Sequence, residues 1–93
     1  MFTRALNIEI DPTTREKVMK LWRDHATPIL QRQRGFMRGY ALTNSDTGKG
    51  VVICIWKTKY ESDNFENSSE FEAAVSPFRQ YFIAPPSLDF FRI

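Results

Sequence analysis

Few side chains in this 93-residue sequence carry reactive chemistry. It has one histidine, His25, and one cysteine, Cys54. No hydroxyl or thiol nucleophile can be matched to an adjacent base, and neither a carboxylate pair nor a glycine-rich phosphate loop is present. His25 shares helical spacing with Trp22 and Ile29, where a half-buried imidazole can titrate near neutrality. It reads either as a general base or as a packed residue at a pocket rim. Asn7 lies between Leu6 and Ile8 in "ALNIEI". A buried amide there costs about 1–3 kcal/mol unless hydrogen-bonded, so it calls for a partner or a ligand. Tyr40 is a possible hydrogen-bond donor on a strand, with plain packing as the alternative. Cys54, mid-strand among Val and Ile, reads as a small buried hydrophobe and has no second cysteine to pair with. Such a set suits catalysis by placement and proton transfer. With one His and one Cys, no metal site of clustered ligands can be assembled, and no cofactor is expected.

The elements that must position these groups follow from pattern. Residues 2 to 10 alternate, with Phe2, Leu6, Ile8 and Ile10 on one parity together with Arg4, and Thr3, Ala5, Asn7 and Glu9 on the other. "DPTTRE" reads as a helix start capped by Asp11 or Thr13, with a capping box from Thr13 to Glu16. Val18, Trp22, His25 and Ile29 form the inward stripe of that helix, Pro28 is expected to break or kink it near Thr27, and Gly35 ends it. "GFMRGYALT", the turn "NSDTGKG" and "VVICIWKTK" make a hairpin. "ESDNFENSSEFEAAV" contains two helix starts, at Ser62 and at a box from Ser69 to Glu72, and Pro77 is expected to split this second helical stretch as well. "LDFFRI" is a last strand.

The order strand, helix, strand, strand, helix, strand is that of the split βαββαβ, ferredoxin-like unit, an α+β fold with a four-stranded antiparallel sheet and both helices on one face. One domain over residues 1–93 accommodates it. The run "VVICIW" then needs cover on both sides: Val51, Ile53 and Ile55 point one way, Val52, Cys54 and Trp56 the other. A homodimer joined through the helix-free sheet face is expected to supply it, because a bare apolar sheet exceeds what soluble monomers tolerate. In this reading Phe2, Leu6, Ile8 and Ile10 join the dimer face and Asn7 turns toward the helices. The aromatic share of 14% agrees with an interface or a pocket in addition to a core.

A net charge of +2 is no nucleic-acid footprint. "RGFMRGY" begins like the RNA-recognition signature, yet Met37 and Arg38 stand where a small residue and an aromatic are needed, and it lies on the second strand. No nucleic-acid partner is expected. The sequence shows no signal-peptide core or apolar run of membrane length, so the expectation is a cytoplasmic protein without a membrane partner.

With that order of elements, "RGFMRGYAL", "VVICIWKTKYESDNF" and "SSEFEAAVSPF" together resemble the antibiotic biosynthesis monooxygenase family, small dimeric α/β barrel proteins; Gly35-Phe36 and Trp56 are the sharpest points. The resemblance implies a cofactor-independent monooxygenase that oxidises an aromatic or polycyclic, quinol- or anthrone-like small molecule with O2. It matches Asn7 to a pocket asparagine of haem-degrading members and Trp22 to a pocket aromatic. It also sets Phe65 at the place of a pocket tryptophan and Val75 at the place of the axial histidine, and valine cannot ligate iron. Asn7 and His25 are therefore the catalytic candidates. Trp22, Tyr40, Phe65, Phe71, Val75 and Phe78 are the substrate-binding ones, and the phenylalanines and Val75 suit a flat aromatic ligand or a closed core equally. Two alternatives use the same pocket: a non-catalytic dimer that binds a small ligand, and an isomerase or cyclase.

Overall fold

Alternation along the first residues places a strand at the amino terminus, and the computed structural model, which describes residues 1–92, shows it as β1 (Phe2–Glu9). There follow α1 (Arg15–Leu21), α2 (Thr27–Gln31), β2 (Phe36–Thr43), β3 (Lys49–Trp56), α3 (Lys59–Glu66), α4 (Ser69–Val75) and β4 (Ser87–Arg92). Ile93, at the end of the expected last strand, lies outside the described residues. The strands form one antiparallel sheet in the order β2-β3-β1-β4, as the split βαββαβ reading requires.

Local chemistry sets the helix ends. Asp11 accepts a hydrogen bond from the Thr13 amide at 2.9 Å, and Pro12 enters a short 3₁₀ turn, Pro12–Thr14, so the start is capped by Asp11 and not by Thr13. After α1 the backbone widens into a π turn over Trp22–Ala26, where the Thr27 amide reaches the Trp22 carbonyl. The Thr27 hydroxyl donates to that same carbonyl at 2.8 Å. Pro28 then falls in the first turn of α2, where a missing N–H costs nothing. The expected break at Thr27 is thus taken up one turn earlier, as a widening. The helix ends at Gln31 with Arg32 as its cap, before the expected terminator; Gly35, with φ +81°, instead makes the left-handed turn that leads into β2.

Thr58 caps α3, accepting from the Glu61 amide, so Ser62 lies inside that helix and does not begin it. Ser68, one residue before the expected box, caps α4 by accepting from the Phe71 amide. Pro77 converts the end of α4 into a 3₁₀ turn over Ser76–Tyr81.

Inter-strand register decides which side chains share a face. Phe2 lies opposite Trp56, Leu6 opposite Val52 and Ile8 opposite Gly50. Gly39 lies opposite Cys54, and Leu88 opposite Leu6. Trp56, 2% exposed, packs in the core with Ile29, Leu30, Phe65 and Ala74 of the helices. Phe2, Arg4, Leu6 and Ile8 therefore face the helices. This corrects the expected assignment of β1: its large apolar residues go where the helices exclude water, and Asn7 turns to the opposite, helix-free face. That face carries Ala5, Val51, Ile53 and Ile55, flanked by Tyr40 and Leu42 on β2 and Phe91 on β4. Leu42 and Phe91 are 56% and 58% exposed.

Candidate functional site

Between the helices and the sheet lies a cavity of about 110 Å³ with almost wholly apolar walls. An aromatic row, Trp56, Phe65 and Phe71, forms part of the wall: Trp56 meets Phe65 at 5.4 Å between ring centres and Phe65 meets Phe71 edge-on at 5.5 Å, while Phe36, behind the wall, meets Trp56 edge-on at 5.4 Å. Trp22, from the π turn, closes the β2 side. Its indole reaches the sheet because Gly39 has no side chain; a Cβ there would stand 3.1 Å from Trp22 Cη2 and from Phe36 Cζ. Val75 and Phe78 line it as well. Leu6, Phe71, Val75 and Phe82 also line an outer, more open space of about 520 Å³, which continues past Arg79 to Pro85 and Pro86 and is lined partly by Ile83 and Ala84.

One corner of the cavity is polar. Arg4 projects from β1 among apolar neighbours and donates through Nη2 to Asp63 Oδ1 at 2.9 Å, while its Nε pairs with Glu66 Oε1. Its guanidinium stands 5.1 Å from the Phe2 ring centre and 5.9 Å from that of Phe90, two rings stacked at 5.7 Å. Burial holds the Glu66 carboxyl above the usual glutamate range; Arg4 pulls it back in part, Asp63 pushes it further up, and the nearby Ser62 hydroxyl lowers it least of all. Asp63 lies below its usual range, chiefly through a hydrogen bond from Lys59 and secondarily through Arg4. Ser62, one turn before Glu66, is fully buried, lines the cavity and completes no hydrogen bond of ordinary geometry through its hydroxyl. Cys54 also lines it, with a thiol that burial, and then Glu66, push up to about 12, so it acts there as a hydrophobe and not as a nucleophile.

The structure brings Trp22, Phe65, Phe71, Val75 and Phe78 together around this cavity. It does not bring Asn7, His25 or Tyr40 there. Asn7 is exposed on the helix-free face, where its Nδ2 donates to Asp89 Oδ2 at 3.0 Å. Tyr40, 45% exposed, lies on that face opposite Ile53. His25 Nε2 lies 2.7 Å from the Ala73 carbonyl, which can only accept, so this nitrogen carries a proton and the ring ties the π turn to α4. Arg4, Ser62 and Glu66, which make up the polar corner, are among the cavity residues that sequence reasoning missed. One signal was available: Arg4 interrupts an otherwise apolar parity in β1. Among the described residues no three His, Cys, Asp or Glu side chains converge as a metal site would require. A haem does not fit this donor set: Val75 offers iron no ligand, and His25 is turned to Ala73. No described helix is long and apolar enough to cross a membrane.

Comparison with known structures gives the same architecture throughout. A monooxygenase from the ActVA-Orf6 gene of Streptomyces coelicolor, solved in complex with nanaomycin D, is 21% identical and superposes with a TM-score of 0.78, covering 99% of this chain and 86% of that one. A candidate antibiotic biosynthesis monooxygenase from Bordetella bronchiseptica is 16% identical with a TM-score of 0.86, over 99% and 95% of the two chains. A conserved protein from Methanosarcina mazei is 12% identical with a TM-score of 0.81, over 99% and 92%. A search of the curated proteins finds no match. The family model for antibiotic biosynthesis monooxygenases matches residues 1–77, from β1 through α4 to Pro77, and with it the chain belongs to the antibiotic biosynthesis monooxygenase family.

Proposed function

We propose that this protein is a cofactor-independent monooxygenase that oxidises an aromatic or polycyclic, quinol- or anthrone-like small molecule with O2, working as a homodimer joined through the helix-free sheet faces. The observation that carries this reading is the cavity: Trp22, Phe65, Phe71, Val75 and Phe78 form walls suited to a flat ring system, with the ionic groups Arg4 and Glu66 gathered in one corner. The outer space at Pro85 and Pro86 gives a tricycle room to extend. The nanaomycin D complex of the Streptomyces relative supports the choice of a polycyclic ligand. The dimer is supported by Leu42, Tyr40 and Phe91, large side chains exposed around Val51, Ile53 and Ile55.

In such a reaction the substrate supplies all the electrons. Loss of a proton from an anthrone methylene leaves a carbanion that reduces O2; a C–O bond forms, and loss of water gives the quinone, so that CH2 and O2 become C=O and H2O. The protein's part is to hold the ring, accept the proton and exclude bulk water. The test is oxygen uptake by the purified protein, without added metal or flavin, on a panel of anthrones and hydroquinones. Uptake well above autoxidation that is lost in Val75→Trp, which fills the cavity, is the expected result. A second reading, ligand binding without turnover, is favoured by the position of Asn7 and His25 outside the cavity. Ligand-induced thermal stabilisation without oxygen uptake would select it.

A further inference from the structure

The polar corner is costly unless it meets something polar. Ser62 is 0% exposed, and its hydroxyl, close enough to Glu66 to lower that carboxyl, completes no hydrogen bond of ordinary geometry among the described residues. A buried hydroxyl left unsatisfied is a destabilising feature that a ligand atom can relieve. Glu66 lines the same cavity one helical turn further on, with one carboxylate oxygen tied to Arg4. Arg4 in turn is anchored by Asp63 and by the Phe2 and Phe90 rings, so its position does not depend on Glu66 alone. A carboxylate, a buried hydroxyl beside it and a fixed cation in one corner of a cavity walled by aromatic rings are complementary to one ligand chemistry: an aromatic ring bearing an acidic hydroxyl.

We propose that Glu66 is the catalytic base of this site and that it takes the proton from the hydroxyl of a bound hydroxyaromatic ligand. The O–H bond breaks, the proton passes to the free Glu66 oxygen, and the electron pair stays on the ligand as an aryloxide. The Ser62 hydroxyl donates to that aryloxide, and the Arg4 guanidinium balances its charge. This assignment rests on the monooxygenase reading for the use made of the aryloxide, an electron-rich ring able to reduce O2, but not for its binding. The groups facing Glu66 are Arg4 from β1, Asp63 and Ser62 from α3 and Cys54 from β3; of these Arg4 is cationic, and Cys54 stays protonated. The raised carboxyl of Glu66 makes it a stronger proton acceptor than an ordinary carboxylate.

The experiment measures binding of 1,8-dihydroxyanthrone, with anthracene as the same tricycle lacking oxygen, by quenching of tryptophan fluorescence, and records the absorbance of the bound ligand across pH. Wild type is compared with Glu66→Gln and Ser62→Ala, each checked for native circular dichroism; Arg4 keeps Asp63 in both. Charge-assisted hydrogen bonds predict about a 10–100-fold preference of wild type for the hydroxyanthrone over anthracene. The bound ligand is expected to show its anion spectrum at lower pH than the free one. Glu66→Gln is expected to abolish that spectral shift while anthracene binding is retained, and Ser62→Ala to weaken the hydroxyanthrone without removing the shift. An unchanged spectrum and pH profile in Glu66→Gln, or no preference in wild type, would overturn the proposal. Oxygen uptake in the same samples separates the two claims. Glu66-dependent ionisation without uptake sinks the monooxygenase reading alone, and uptake at equal rates in Glu66→Gln sinks this assignment alone.

Discussion

Aspartate at position 8 and, separately, at position 53 tests the two faces of the sheet against each other. Ile8 is 8% exposed and lines the cavity on the helix side. Losing its burial forfeits about 1.5–3 kcal/mol of transfer free energy. The new carboxyl has to remain protonated in apolar surroundings, and holding it so at pH 7 against an ordinary value near 3.9 adds about 4 kcal/mol. The combined cost, about 6 kcal/mol, is comparable with the whole stability of a small domain, about 5–15 kcal/mol. Ile8→Asp is therefore expected to be largely unfolded at pH 7. Because burial raises the folded-state pKa of the new group above its unfolded value, the loss grows as pH rises and is relieved toward pH 4. Ile53 lies on the other face, opposite Ala5 and Tyr40. Ile53→Asp leaves the core untouched, so the subunit is expected to stay folded while the proposed dimer dissociates. Urea titration followed by tryptophan fluorescence reads the first effect and sedimentation velocity the second. An Ile8→Asp chain within about 2 kcal/mol of wild type at pH 7 would refute the face assignment, since about 6 kcal/mol is what burial of that side chain demands. An Ile53→Asp protein that sediments like wild type would refute the interface.

The Cys54 thiol, pushed up to about 12, leaves a thiolate fraction of roughly one in ten thousand at pH 8. A disulfide reagent is accordingly expected to label the protein only after denaturation, and rapid labelling of the native chain would contradict its burial. Gly39→Val crowds Trp22 and Phe36 and is expected to lower stability by about 1–3 kcal/mol and to weaken anthracene binding, both readable in one thermal-shift series. For Glu66 the folded value is raised, so its ionisation weighs against folding as pH rises above the ordinary carboxylate range. Glu66→Gln removes that cost, and its melting temperature relative to wild type is expected to climb between acidic and neutral pH; a pH-independent difference would show that the carboxyl is not perturbed.

The order of elements was legible because turn residues punctuate it and each segment keeps its own period: "NSDTGKG" separates two strands, and Pro12 and Pro77 fall where helical geometry changes. The faces of β1 were not. β3 is apolar on both sides, so it gives parity no reference, and only the pairing of Phe2 with Trp56 decides which side meets the helices. Asn7 went to the wrong side for that reason. Trp22, Phe71, Val75 and Phe78 could be read because each lies on the inward stripe of its own helical segment, and Phe65 because the family resemblance sets it in the pocket. The Arg4 corner could not, since Arg4 and Asp63 are 59 positions apart and meet only through tertiary register. His25 fits the stripe of a regular helix, but the π turn carries it round to Ala73.

That π turn amounts to a helix with one residue more than its pitch accommodates. Deleting a single residue between Trp22 and Ala26 would restore a continuous α-helix and leave the two halves facing as they do now, because the π turn already absorbs the extra position as a bulge. Val18 and Met19 on one side of it, and Ile29 and Leu30 on the other, would keep their inward seats. Length in this segment is thus decoupled from facing: the turn takes up one position without turning either half, and an alignment that ignores the surplus residue would misassign every inward side chain of one half.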